Sequence, residues 1–515
     1  MTWKVARWVA VGVAATLVVF AILAGAGSRT AMLRELVVDT LADRLNSEVE
    51  LSSFSVDTFP TVTIQGSGLI IRHAGRTDVP PLIRLDTFRI EGGIIGLLSR
   101  PRRFSNVVVT GLQINIPPGG IDTKSAPQTA DADRSKAQSP FVIARLRTED
   151  AELRIIPRKA GKDPKVFAIH SLEMESLGIA EKMPFKAELT NPIPRGMVQT
   201  EGEFGPWQKY APGSTPLAGR YTFNGADLST IKGIAGTLDS WGEFGGRLEQ
   251  IAVMGETRTP DFRVRVSDQP VPLTTRFQAV VDGTDGDTYL NDVYATFERT
   301  SLHAKGAVTG TPGVKGRTVK INVKIDEGRI EDLLRLSVKS ARPPMVGDVA
   351  LHAEFTLPPG EGDVVDRLRL SGQFNLDGRF TDRGVQEKLT GMSQRAKGED
   401  AEGADANVMS DLSGRFRLQD GVMSFADLKF AVPGALVSLR GSYGLRSEEL
   451  NFDGTLRMQA TISEAAGGGM KSIFLKVVDP FFRKGNAGAV LPIKVRGTRN
   501  EPKFGLDVVK ALTPK

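Results

Sequence analysis

Cysteine is absent from all 515 residues. That absence removes disulfides, zinc–thiolate centres, iron–sulfur clusters and cysteine nucleophiles together. Histidine is nearly as scarce, with four in the chain: His73, His170, His303 and His352. No two stand four residues apart and none lies in an HExxH context, so the helical spacing that holds zinc is missing. Neither GxSxG nor GxxxxGK[ST] occurs. "GSGLII" at Gly66 has only the start of a dinucleotide loop. "DGTDGD", Asp282 to Asp287, resembles a calcium loop until it is counted. An EF-hand wants an oxygen ligand at the fifth position and glycine at the sixth, and here those are Gly286 and Asp287. Glu448 and Glu449 are adjacent, so on a strand their carboxylates point to opposite faces. The expectation is a chain that is not an enzyme, with no catalytic residue, no cofactor and no metal.

An excess of one charge is also lacking. There are 66 basic and 60 acidic residues, a surplus of +6. A nucleic-acid footprint needs basic residues clustered on one face, so no nucleic-acid partner is expected. Long apolar runs are missing as well, with one exception. "WVAVGVAATLVVFAILAGAG", Trp8 to Gly27, carries no charge. At about 1.5 Å per residue it spans about 30 Å, the thickness of a bilayer core. It is longer than the apolar part of most cleaved signal peptides, so it reads as a transmembrane anchor. Lys4 and Arg7 before it and Arg29 and Arg34 after it leave its orientation open.

What is abundant is glycine, 55 residues, recurring with Asp or Asn between short apolar stretches as turn punctuation. After the anchor, Leu33, Leu36, Val37, Leu41 and Leu45 fall at helical spacing and predict an amphipathic helix over Thr30 to Asn46. Then the period becomes two. "TVKINVKID" sets Val319, Ile321, Val323 and Ile325 against Lys320, Asn322, Lys324 and Asp326. "LHAEFTL" carries Phe355 in the same way, and "RLRLSGQFNLD" carries Phe374. Each reads as a half-buried strand with one apolar face. The pattern predicts roughly 25–30 strands, on the order of 120–140 Å of continuous sheet at about 4.8 Å per strand. Helical patterns are few, with Gly328 to Ser340 and Arg383 to Lys397 the clearest. Pro117 to Pro140 and Ala396 to Asn407 are low-complexity and polar, and read as disordered insertions. So long an apolar face must close into successive sandwiches, bind a partner or hold an apolar ligand in a trough. The pattern alone leaves these open.

One further segment stands apart. In "GGGMKSIFLKVVDPFFRK", Ile473, Phe474, Val477, Phe481 and Phe482 fall at helical spacing between basic ends. One role is a plug over the end of the sheet; the other is contact with a membrane surface.

Several longer stretches resemble the AsmA-like family. "EVELSSFSVDTFPTVTIQGSGLIIRHAG", followed by "PPLIRLDTFRIEGGIIGLLSRPRRFSNVVVTGLQINIPP", is similar to the N-terminal region of those proteins. "LSGRFRLQDGVMSFADLKFAVPGALVSLRGSYGLRSEELNFDGTLRM" and "FLKVVDPFFRKGNAGAVLPIKVRGTRNEPKFGLD" resemble their C-terminal region. The resemblance implies an N-terminal transmembrane helix followed by a long, curved, mostly antiparallel β-sheet that forms a groove, with a few amphipathic helices. It divides the chain into an anchor (1–29), an N-terminal helix and β region (30–116), an insertion (117–140), a central β-groove region (141–380) and a C-terminal β region (381–515). It implies a single-pass protein of the bacterial inner membrane, held by Trp8 to Gly27, with its bulk in the periplasm. The implied function is carriage of phospholipids toward the outer membrane by passive sliding, with acyl chains as the bound partner. Groove candidates are Val319, Ile321, Val323, Ile325, Phe355, Phe374, Phe416 and Leu418. The alternative is an envelope scaffold or assembly factor that contacts outer-membrane or other envelope proteins through sheet edges.

Overall fold

The structure is a computed structural model. It describes residues 34–506 except 36, 40, 43–46, 59–60, 73–79, 94, 97–98, 100, 117–140, 157–163, 179–181, 209–210, 312–313, 315, 341, 361, 398–407, 461–482, 485–486 and 499–500. The protein is mainly β, built from large mixed-sheet ladders with few helices.

The strands in chain order begin β1 (Val49–Glu50), β2 (Ser53–Asp57), β3 (Val62–Ile71), β4 (Ile83–Gly92), β5 (Arg102–Thr110), β6 (Gln113–Ile116) and β7 (Phe141–Ile155). They continue with β8 (Lys165–Leu177), β9 (Met183–Pro192), β10 (Arg195–Phe204), β11 (Pro216–Asp227), β12 (Ile234–Ala235), β13 (Thr237–Arg247), β14 (Gln250–Val264) and β15 (Val271–Val281). Next come β16 (Thr288–Phe297), β17 (Thr300–Gly310), β18 (Arg317–Arg329), β19 (Met345–Leu357), β20 (Arg369–Phe380) and β21 (Ser410–Gln419). The last are β22 (Val422–Val432), β23 (Ala435–Gly444), β24 (Leu450–Met458), β25 (Arg483–Lys484), β26 (Ala487–Gly497) and β27 (Pro502–Leu506). Helix α1 (Ile330–Ser337) follows β18, and helix α2 (Arg383–Lys397) follows β20.

The chain forms two compact units. Unit 1 holds the residues up to Ile231 with Thr237–Thr257 and Val280–Gly286. Unit 2 holds Lys232–Gly236, Arg258–Ala279 and the chain from Asp287 onward.

In unit 1, β3 pairs with β1, β2 and β4, and β7 through β11 and β13 form successive antiparallel ladders. Strand β7 departs from antiparallel pairing and lies parallel to β5 and β6. A parallel neighbour needs a connection of about a dozen residues or more. The stretch 117–140 supplies that length; its conformation lies outside the described residues. The helical residues between 34 and 42 place Val37 and Leu41, each 1% exposed, into a core with Ile64, Leu69, Ile71, Phe88 and Ile90.

In unit 2, β16 to β24 with β26 and β27 form an up-and-down antiparallel meander. Its turns follow from sequence. Asp420 and Gly421 both have positive φ, 51° and 71°, the backbone of a two-residue hairpin loop that Asp-Gly favours. Helix α1 falls inside the Gly328–Ser340 pattern and α2 matches the Arg383–Lys397 pattern. The anchor Trp8–Gly27 lies outside the described residues. Among those described, no helix is long and apolar enough to cross a membrane.

Candidate functional site

Directly opposite residues in an antiparallel ladder share a face, so register decides whether the alternating apolar residues make one surface. In unit 2 they do. One row runs Gly306, Ile321, Phe355, Leu370, Leu418 and Met423. The next runs Ala304, Val323, Ala353, Gly372, Phe416, Phe425, Gly441, Phe452 and Val495. A third runs Ile325, Leu351, Phe374, Gly414, Leu428, Leu439, Gly454 and Ile493. Val319 sits between Val308 and Leu357 at the start of a fourth. All eight groove candidates therefore lie on one face. Ile325 and Leu418 are buried, at 2% and 3% exposed. Val319, Ile321, Val323, Phe355, Phe374 and Phe416 are half-buried. A fully closed sandwich core would bury all eight, whereas these six keep part of their surface exposed.

At two places in the rows a large residue lies against a glycine. A methyl added at Gly372 would come within 2.9 Å of Phe416 Cζ, and one at Gly454 within 2.8 Å of Leu439 Cδ2. Phe374 and Phe416 have ring centroids 6.1 Å apart, and Phe425 and Phe452 5.9 Å. One end of the face is covered. Helix α1 sets Ile330, Leu333 and Leu334 on Met345, Val349 and Leu376. Helix α2 sets Met392 and Ala396 on Val432 and Ala435.

A buried acidic pair pins α1. Asp332, 2% exposed, accepts from Arg299 N at 3.0 Å and Thr300 Oγ1 at 2.9 Å. Glu331 accepts from Arg299 Nη2 at 2.6 Å and from Gly347 N at 3.1 Å. Burial pushes the Glu331 carboxyl up, but its own backbone amide, the Gly347 amide and the Arg329 guanidinium outweigh this and hold it below the ordinary carboxylate range.

The opposite face is charged. Lys320 pairs with Glu354 at 2.8 Å and Arg415 with Asp427 at 3.0 Å. His303 stacks on Tyr294 with centroids 4.7 Å apart and bonds Asp292. That bond holds the Asp292 carboxyl low. His170 bonds Thr190 at 2.8 Å on a solvent-facing surface, and His352 is exposed. Among the described residues no group of His, Asp and Glu could hold a metal ion.

Unit 1 carries its own apolar face on β9, β10, β11 and β13. Here sequence reading missed a polar patch. Thr200 pairs with Tyr221, whose hydroxyl lies 3.2 Å from Ser240 Oγ. Burial raises the Tyr221 pKa, with the Ser240 hydrogen bond opposing it. The signal available in sequence was a hydroxyl residue at an apolar-phase position in each of three strands, but only register reveals that the three adjoin. The end-plug candidates Ile473, Phe474, Val477, Phe481 and Phe482 lie outside the described residues. Comparison of the chain with family models, curated proteins and solved structures finds no match.

Proposed function

We propose that this chain is an AsmA-like carrier of phospholipids, with acyl chains lying along a long, curved apolar groove. The observation that carries the reading is the set of apolar rows in register across unit 2, in which Val319, Ile321, Val323, Phe355, Phe374 and Phe416 remain half-buried, backed by a charged face. Each methylene removed from water onto such a surface contributes about 0.8 kcal/mol, so even part of an acyl chain would be held. Movement along the rows is passive sliding, which fits a sequence without a nucleotide-binding motif. In this reading Trp8–Gly27 anchors the chain in a bacterial inner membrane, the bulk lies in the periplasm, and the segment around Phe474 and Phe482 serves the groove's end.

Native mass spectrometry of a detergent-free preparation tests the proposal. Phospholipid should travel with the protein. Protein that stays free of lipid after extraction from lipid-replete cells would overturn it.

A further inference from the structure

On the apolar face of unit 1, the paired stretches 183–189, 198–204, 217–223 and 240–246 alternate in a common register. The positions sharing the face are Met, Phe, Ala, Leu, Val or Gly, except for Thr200, Tyr221 and Ser240. Those three adjoin. Thr200 and Tyr221 are directly opposite, and Tyr221 reaches Ser240. Three hydroxyls scattered on an apolar face would be ordinary; here two are in contact and the third stands directly opposite Tyr221 in register, which makes one polar spot.

The hydrogen bonds fix its chemistry. Ser240 Oγ donates to Glu256 O at 3.0 Å, so its single proton is committed. It must then accept from Tyr221, whose proton is committed in turn. Thr200 Oγ1 donates to Arg220 O at 3.0 Å. All three protons are used within the protein. What the spot still offers a ligand is lone pairs, chiefly on the Tyr221 and Thr200 oxygens. Tyr221 is half-buried, so part of its side chain remains accessible on this face. A phosphate oxygen or an ester carbonyl, which only accepts, finds no donor there. A hydroxyl or a primary ammonium does find an acceptor.

We infer that Tyr221, with Thr200 and Ser240, is a hydrogen-bond-accepting station for the donor group of an amphiphile, a glycerol-type hydroxyl or a primary ammonium. The assignment rests on the carrier reading and adds a headgroup preference to it.

The test uses the full chain in amphipol and two fluorescent probes with the same pyrene-labelled acyl chain. One is a monoacylglycerol, which has hydroxyl donors; the other is a fatty-acid methyl ester, which has none. Tyr221→Phe and, separately, Thr200→Val should each weaken monoacylglycerol binding, by about 3–10-fold for Tyr221→Phe, and leave the methyl ester unchanged. Circular dichroism of each variant checks the fold. If both variants leave both probes unchanged, or weaken both equally, the station is overturned and the carrier reading stands. If the unaltered chain binds neither probe, the carrier reading falls and the station with it.

Discussion

The N-terminal end of unit 1 and the sheet of unit 2 are built from the same period-two strands, yet they treat their apolar residues differently. Ile64, Leu69 and Ile71 are each 1% exposed, while Phe355, Phe374 and Phe416 remain half-buried. The first region has a cover made by Val37 and Leu41 of the N-terminal helix, and a sheet in which β7 returns parallel to β5. The second is an uninterrupted meander in which α1 and α2 cover one end of the rows. Alternation determines that an apolar face exists. What covers it is a separate property, set by elements distant in sequence.

Mutations that probe closure should separate the two regions. Leu69→Ala removes a fully buried side chain from a closed core and should cost about 3–5 kcal/mol. Trp207 and Trp241 both belong to unit 1, so the change in their fluorescence during urea unfolding reads that unit. Phe416→Ala, at a half-buried position, should cost far less. A cost at Phe416 equal to that at Leu69 would mean that the two faces are equally enclosed.

The next largest effect is at the covered end of unit 2. Asp332→Ala strands the Arg299 amide and the Thr300 hydroxyl, for a loss of about 2–4 kcal/mol. Hydrogen exchange should then quicken in α1 and the β16–β17 turn, with β26 and β27 unaffected. Acid sharpens the same point. A carboxyl held low when folded stabilises the fold above the ordinary glutamate pKa near ~4.3, and the contribution disappears as pH falls through the lowered folded value. Glu331→Gln should therefore lower the urea midpoint of unit 2 at neutral pH and converge on the parent protein in acid. A difference that persists undiminished at low pH would assign the effect to packing instead.

The smallest effect is Phe416→Ala. A half-buried ring on an open surface should contribute about 1–2 kcal/mol, read as a small shift in the unfolding of unit 2 by far-ultraviolet circular dichroism.

Much of the fold was legible in sequence because its rules are local. The strand phase of Val319 to Ile325 is written in alternate residues, and α2 matched its pattern from Arg383 to Lys397. The common face of the eight groove candidates followed once consecutive strands paired in order. What was not legible depends on register and on distant partners. The bulge that sets Phe425 opposite Phe416 while Asp427 faces Arg415 has no signature in either strand. Thr200, Tyr221 and Ser240 become neighbours only through two ladders, and β7 beside β5 needs a chain reversal that composition does not describe.

The glycines of the unit 2 rows have a mechanical meaning. Where Gly372 meets Phe416 and Gly454 meets Leu439, large side chains lie down against the sheet instead of standing as ridges. In the carrier reading, a hydrocarbon chain resting at those two places would meet little relief from Phe416 or Leu439. In that reading such a surface would act as a bearing: it would hold its load without indexing it, because no single contact would have to be broken before the next was made.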